Sequence, residues 1–207
     1  MMLTRNRMLG ILMTSLALPK LIAQSTEPPK HEIGLTLGRL LSQDRAAGAT
    51  RFELGSGTAL QANYGFRLLS SSKVALYGEV HMLANPQRVV TSTNPGLTKD
   101  VASLFVTPGL RVKFFPRGAI APYFAVGGGW ALFEHSTKTI GGAPNPASRT
   151  ASHGVLDFGG GVDVKFWKFI GLRGEIRDFY SGNPSYNLSL NGSQHNLVVG
   201  GGFVLRF

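Results

Sequence analysis

The sequence contains no cysteine and few charged residues. Without cysteine, the chain can form neither a disulfide framework nor a metal site built on thiolates. Charged residues make up 15% of the chain, well below the roughly 25% that is typical of soluble domains. A length of 207 residues indicates a single domain.

Long apolar runs are also missing, with one exception near the N terminus. Crossing a bilayer as a helix takes about 20 apolar residues, and the longest run covers only residues 8–18. Arg5 and Arg7 precede this run, Pro19 ends it, and Ala23 offers a cleavage site. We therefore predict that residues 1–23 are a secretory signal peptide and that residues 24–207 form the mature domain.

Acidic residues are scarce, with 11 against 21 lysines and arginines, so the formal net charge is +10. Removal of the signal peptide takes away Arg5, Arg7 and Lys20, which lowers the charge to +7. A basic exported protein can be attracted to anionic lipid, lipopolysaccharide or nucleic acid. No basic patch is interleaved with stacking aromatics, so we do not expect nucleic-acid binding. Lys138 and Arg149 are candidate contacts for lipopolysaccharide phosphates.

Apolar and polar residues alternate with a period of two in eight segments, which predicts strands. These segments are residues 31–41, 57–68, 73–84, 101–115, 119–133, 153–166, 169–180 and 195–207. They exceed the usual strand length of about 5 or 6 residues. A tilted bilayer crossing needs about 9–11 residues, which these lengths allow.

The connections between the predicted strands alternate strictly between short and long. Short ones follow the second, fourth and sixth strands, and long ones cover residues 42–56, 85–100, 134–152 and 181–194. In an up-and-down sheet this places every long loop at one end. Outer-membrane barrels have that asymmetry, with short periplasmic turns and longer extracellular loops. The sequence therefore predicts an all-β protein, an eight-stranded antiparallel up-and-down transmembrane β-barrel in a bacterial outer membrane.

One face of each predicted strand is apolar, and the other mixes charged residues with glycine and alanine. A soluble barrel or sandwich could show the same alternation with its apolar face inward, but its charged outer face should contain few glycines. Small residues suit a crowded, narrow lumen, and charges of both signs can pair there. We predict a structural charge network in the lumen made of Arg67, Glu79, Arg111, Lys113, Asp157, Asp163, Lys165, Arg173, Glu175 and Arg177.

Aromatic residues gather near the ends of the predicted strands, as expected for belts at two membrane interfaces. The belt at the tight turns is predicted to contain Phe66, Phe114, Phe115, Phe166, Trp167, Phe169 and Phe207. The belt towards the long loops is predicted to contain Trp130, Phe133, Phe179 and Tyr180.

Three segments resemble the small outer-membrane β-barrel proteins related to the OmpA and OprF transmembrane domain. They are VTPGLRVKFFPRGAIAPYFAVGGGW (106–130), DFGGGVDVKFWKFIGLRGEIRDF (157–179) and the terminal VGGGFVLRF (199–207). The resemblance covers most of residues 30–207. It implies that the terminal aromatic, Phe207, is a signal read by the barrel-assembly machinery.

Candidate chemical sites are weak in this sequence. The lipid A deacylases among eight-stranded barrels carry a His-x-Ser pair, whereas His135–Ser136 and Ser152–His153 are directly adjacent. The five histidines lack metal-ligand spacing. The glycine runs continue as strands, whereas a phosphate-binding turn needs a following helix. We therefore expect no enzyme activity, cofactor or metal.

The expected function is a structural or surface-interaction role through the long extracellular loops, with an unknown surface ligand as one partner and outer-membrane lipid as another. A narrow porin-like passive channel is the first alternative. A lipid A-modifying enzyme and a soluble lipocalin-like carrier are further alternatives.

Overall fold

The structure is a computed structural model that describes residues 28–207 except positions 189 and 191. The predicted signal peptide, residues 1–23, lies outside this range. Within the described part of the chain, helices of the length and hydropathy needed to span a membrane do not occur.

The described part of the chain contains eleven strands. In chain order they are β1 (His31–Leu40), β2 (Gln43–Ala47), β3 (Thr50–Leu54), β4 (Gly57–Ser70), β5 (Val74–Ser92), β6 (Asp100–Phe114), β7 (Ile120–His135), β8 (Thr150–Lys165), β9 (Ile170–Gly182), β10 (Ser193–Gln194) and β11 (Leu197–Arg206).

Eight of these strands close into an antiparallel ring in the order β1-β4-β5-β6-β7-β8-β9-β11. The last strand pairs with the first, with Glu32 opposite Arg206 and Leu40 opposite Val198. Closure leaves no strand edge with unpaired backbone groups, which a lipid environment does not tolerate. The predicted fold class, an eight-stranded antiparallel up-and-down barrel, is confirmed.

The strands β5 to β9 extend further at the loop end than the sequence pattern predicts. β5 continues to Ser92, beyond an irregularity between Asn85 and Arg88 that includes Pro86. Because proline has no backbone N–H to donate, the ladder of hydrogen bonds between β5 and β6 is interrupted here. Residues 43–54, predicted as loop, instead form the hairpin β2–β3, which pairs with the end of β5.

The barrel exposes apolar side chains outward and encloses charged ones. Along β7 the outward series includes Ile120, Phe124, Val126, Trp130 and Leu132, all well exposed. The opposite series of the same strand is buried except for Gly127 and Gly129, which are half-buried. This inside-out arrangement is that of a barrel embedded in lipid, and it is unsuited to a soluble carrier.

Exposed aromatic rings encircle the end with the tight turns. This belt contains Phe66, Phe115, Phe166, Trp167, Phe169 and Phe207. At the loop end, Trp130 and Tyr180 point outward, but the prediction was wrong for Phe133 and Phe179, which are buried inside. Both occupy inward positions of the period-two alternation, so nearness to a strand end did not determine their direction.

The substitution Val126→Arg should destabilise the inserted barrel by about 2–4 kcal/mol. Position 126 is the midpoint of the outward series on β7, which places it near the middle of the bilayer. The matched control is Ile120→Arg on the same strand, where Ile120 and Val126 are both 60% exposed. Near the interface the same substitution should cost only about 0–1 kcal/mol. Urea-induced unfolding in phospholipid vesicles measures both free energies.

A soluble barrel would tolerate arginine equally at the two positions, since both side chains are equally accessible. Equal, small losses for Val126→Arg and Ile120→Arg would therefore contradict a lipid-facing exterior.

Candidate functional site

The half of the lumen nearer the tight turns contains a cluster of buried charges. Lys113 Nζ lies 2.5 Å from Glu32 Oε1 and 2.7 Å from Asp163 Oδ2. Arg173 donates two hydrogen bonds to Asp163, from Nε over 2.7 Å and from Nη2 over 2.9 Å. Arg206 Nη2 lies 3.3 Å from Asp163 Oδ2. Each carboxylate thus has several cationic neighbours, as a buried charge requires.

A second cluster lies further along the lumen, around Arg177. This guanidinium pairs with Glu79, and its Nη1 lies 2.7 Å from Asp157 Oδ2. The Tyr123 hydroxyl donates a hydrogen bond of 2.8 Å to Glu175. All five side chains are buried, so the one cation of this cluster, Arg177, faces three carboxylates away from bulk water.

The two clusters form one network that crosses the lumen. Arg111 bridges them, with Nη2 2.8 Å from Glu32 and Nε 3.2 Å from Glu79. Arg177 on β9 and Glu79 on β5 belong to strands four places apart in the ring of eight, so this pair joins opposite walls. Side chains therefore fill the space through which an ion would have to pass.

The structure brings together eight of the ten residues predicted for the lumen network, namely Glu79, Arg111, Lys113, Asp157, Asp163, Arg173, Glu175 and Arg177. The other two, Arg67 and Lys165, are half-buried near the tight turns. Arg67 donates a hydrogen bond to the Pro28 carbonyl. Two members were missed, Glu32 and Arg206. The alternation in 31–41 could have placed Glu32 inward, together with Gly34 and Thr36.

An apolar core fills the barrel at the loop end, above the charge network. Phe105 packs against both Phe133 and Phe179, with ring centroids 5.7 Å and 5.2 Å away. Phe52 of the β2–β3 hairpin packs against Tyr186, with centroids 5.2 Å apart. These residues come from the barrel wall and from the loops alike, so the loops close the lumen from above.

The four long connections are bound to each other. The Ile140 N–H donates to the Leu97 carbonyl over 2.8 Å, which joins the β5–β6 and β7–β8 connections. Asn187, between β9 and β10, donates to the Gly96 carbonyl over 2.8 Å. Arg45 in β2 donates to the side chain of Asn183. The loop end is therefore one connected layer, which we call the loop layer.

Arg88 anchors the loop layer to the barrel, and Tyr186 makes contacts within that layer. Arg88 is buried and donates to the carbonyls of Leu41 over 2.8 Å and of Gly55 over 3.1 Å. Burial lowers the pKa of its guanidinium from the ordinary value. Burial also raises the pKa of Tyr186 to about 12, so its hydroxyl stays protonated and donates to Gln194 over 2.9 Å.

In the described residues, neither His135 nor His153 is hydrogen-bonded to the serine next to it in the sequence. His135 is buried, and its Nδ1 lies 2.9 Å from the Ser148 carbonyl, not beside Ser136. His153 packs against the ring of Phe133. In the described part of the chain, no group of three or more His, Asp or Glu side chains could hold a metal ion.

The lipopolysaccharide candidates lie at the outer rim of the loop layer. Lys138 is exposed. Arg149 Nη2 lies 2.7 Å from Glu134 Oε1, and these two side chains are 62% and 50% exposed. A cleft of about 300 Å³ beside them is lined by Asp100, Glu134 and His135.

Comparison with known proteins shows what fold this arrangement belongs to. No protein-family model and no curated protein sequence matches the chain. The structure of Neisserial surface protein A (NspA) aligns with a TM-score of 0.52 at 12% identity, covering 86% of this chain and 96% of that one. The outer membrane protein OprG from Pseudomonas aeruginosa aligns with a TM-score of 0.51 at 16% identity, covering 87% and 97%.

The chain therefore has the fold of small outer-membrane β-barrel proteins. The resemblance seen in the sequence is confirmed at the level of the fold, although the likeness to OmpA is only approximate.

The substitution Asp163→Asn should reduce the free energy of unfolding by about 3–5 kcal/mol, because the buried cations Lys113, Arg173 and Arg206 would then share one carboxylate, that of Glu32. The matched control is Glu134→Gln, which breaks the exposed pair with Arg149 and should cost about 0–1 kcal/mol. Urea titration in detergent micelles measures both. Losses of similar size would show that the lumen pairs stabilise the barrel no more than a surface pair does.

Proposed function

We propose that this protein resides in the bacterial outer membrane and presents its loop layer to partners outside the cell. The single observation that carries the proposal is the connected loop layer above a filled lumen. Backbone hydrogen bonds join the loops, as from Ile140 to Leu97, and an apolar core supports them from below. A surface fixed in this way can bind a partner without first paying the entropy of loop ordering.

The loop layer carries charges of both signs on its exposed side. Arg51 and Glu53 project from β3, and Lys99 and Lys138 from the connections around it. Such a mixed surface favours a polar or charged partner over an apolar one. Contacts of Lys138 and Arg149 with lipopolysaccharide phosphates belong to this proposal, since both lie at the outer rim.

Assembly through the barrel-assembly machinery, with Phe207 as its signal, stays a prediction from the resemblance. Phe207 is 60% exposed at the end with the tight turns. Its ring stacks on His31, with centroids 5.4 Å apart.

The charge network and the apolar core above it argue against the channel alternative.

A lipid A-modifying activity has no catalytic pair to support it in the described residues, since His135 bonds to a backbone carbonyl. We propose a non-enzymatic role, and mass spectrometry of lipid A with and without expression checks it.

Folded wild-type protein in planar lipid bilayers should show no unitary ion conductance, because ion pairs such as Arg177–Glu79 cross the lumen. The recording should use protein whose folding has been verified by heat-modifiable migration on detergent gels. Reproducible single-channel steps from such protein would contradict the filled lumen and favour the porin-like alternative.

Substitution of exposed charges in the loop layer should weaken recognition. The protein in nanodiscs is applied to an array of immobilised surface glycans and lipopolysaccharide, and the triple variant R51A/E53A/K138A is compared with the wild type. We expect a loss of about 1.4 kcal/mol of binding free energy, which corresponds to an approximately tenfold weaker affinity. The control K73A/R117A removes exposed charges from the opposite end. Binding that is retained in R51A/E53A/K138A but weakened in K73A/R117A would place recognition at the tight-turn end and contradict the proposal.

A further inference from the structure

Charged side chains are distributed unevenly between the two ends of the barrel. Among the residues that the structure describes, the end with the tight turns carries six cationic side chains, which we call the basic rim: Lys30, Arg67, Lys73, Arg117, Lys165 and Lys168. The ten described acidic side chains lie in the two other regions of the barrel. Five are in the lumen, Glu32, Glu79, Asp157, Asp163 and Glu175, and five are at the loop end, Asp44, Glu53, Asp100, Glu134 and Asp178.

The other two regions are close to neutral. In the lumen, the five acids face five cations, Arg111, Lys113, Arg173, Arg177 and Arg206. At the loop end, the five acids accompany the buried Arg88 and six accessible cations, Arg39, Arg45, Arg51, Lys99, Lys138 and Arg149. Most of the net positive charge of the described chain is therefore concentrated on the basic rim.

The basic rim is held in place by backbone hydrogen bonds between neighbouring connections. The Arg67 N–H donates to the Lys30 carbonyl over 2.8 Å, and the Phe115 N–H donates to the Lys73 carbonyl over 2.7 Å. On the other side of the barrel, the Lys165 N–H donates to the Ala119 carbonyl over 2.7 Å. The cations are thus spread around the circumference and do not converge on a single pocket.

Aromatic rings place the basic rim at the level of a membrane interface. Lys30 Nζ lies 5.5 Å from the centroid of Phe66, and Lys168 Nζ lies 5.2 Å from the centroid of Phe169. Exposed aromatic rings mark the boundary between hydrocarbon and head groups. Cations beside them are therefore at the depth of lipid phosphates.

We propose that the basic rim binds the phosphates of anionic phospholipid head groups in the leaflet at the tight-turn end of the barrel. Lysine and arginine near an anionic leaflet are attracted electrostatically. A ring of separated cations fits an annulus of head groups, whereas one soluble anion would need convergent donors. The proposal rests on the membrane location put forward above.

Electron paramagnetic resonance of spin-labelled lipids tests this selectivity. The inserted barrel is studied in phosphatidylcholine bilayers that contain a trace of spin-labelled phosphatidylglycerol or phosphatidylcholine. We expect about threefold or greater enrichment of phosphatidylglycerol beside the barrel at low salt. The enrichment should fall towards unity in 1 M salt, where the screening length is about 3 Å.

Two matched variants locate the effect. K30Q/K73Q/R117Q/K168Q neutralises the four exposed cations of the basic rim and should abolish the enrichment. R51Q/K99Q/K138Q/R149Q neutralises four cations of the loop layer and should retain it. Enrichment that is unchanged in the rim variant, or lost equally in both, overturns the proposal.

Further measurements distinguish binding of lipid head groups from binding of a soluble anion and from a failure to fold or insert. Inorganic phosphate at the ionic strength of a chloride control should not displace the lipid more than chloride does, and specific displacement would assign the rim to a soluble anion instead. If the quadruple rim variant fails to fold, K73Q/R117Q changes only turn residues and should lose part of the enrichment. Wild-type protein that does not insert overturns the membrane location as well, whereas an inserted barrel without lipid preference overturns this proposal alone.

Discussion

Five cations and five anions share a lumen that eight strands leave too narrow for bulk water. Removing such charges from water is costly, and only mutual pairing with good geometry offsets the cost. Lys113 between Glu32 and Asp163, and Arg177 beside Glu79 and Asp157, meet this requirement. Because these pairs join different strands, they also fix which walls face each other. The filled interior of the closed ring depends on this pairing.

The barrel divides along its axis into regions with different physical roles. Charge pairs fill the lumen nearer the tight turns, and aromatic side chains such as Phe105 and Phe179 fill it nearer the loops. Above them the loops are bound to each other, and Arg88 joins them to the barrel. The connected part of the molecule therefore continues beyond the charge network into the loop layer, as the proposed surface role requires.

The alternation of apolar and polar residues was sufficient to predict the eight ring strands and their closure, because lipid and lumen impose opposite demands on neighbouring positions. It was insufficient beyond the membrane, where β2 and β3 form a hairpin whose pairing partner, the end of β5, is distant in sequence. The prediction was wrong for Phe133 because it considered how near the residue lies to the end of the strand and not which face of the strand the alternation gives it. Arg67 and Lys165 have inward parity but lie too near the tight turns to join the buried clusters.

The central claim is that the apolar exterior faces lipid, and the two tryptophans allow a direct test. The variant W167F keeps Trp130 as its single tryptophan. Trp130 is 68% exposed on the outer face and lies 10 residues beyond Ile120, the first residue of β7, so it is close to the loop end of the strand. Its fluorescence in vesicles should be quenched by brominated acyl chains, more strongly when bromine is near the head group than near the terminal methyl. Aqueous iodide should have little effect. Quenching by iodide without quenching by brominated lipid would contradict the account.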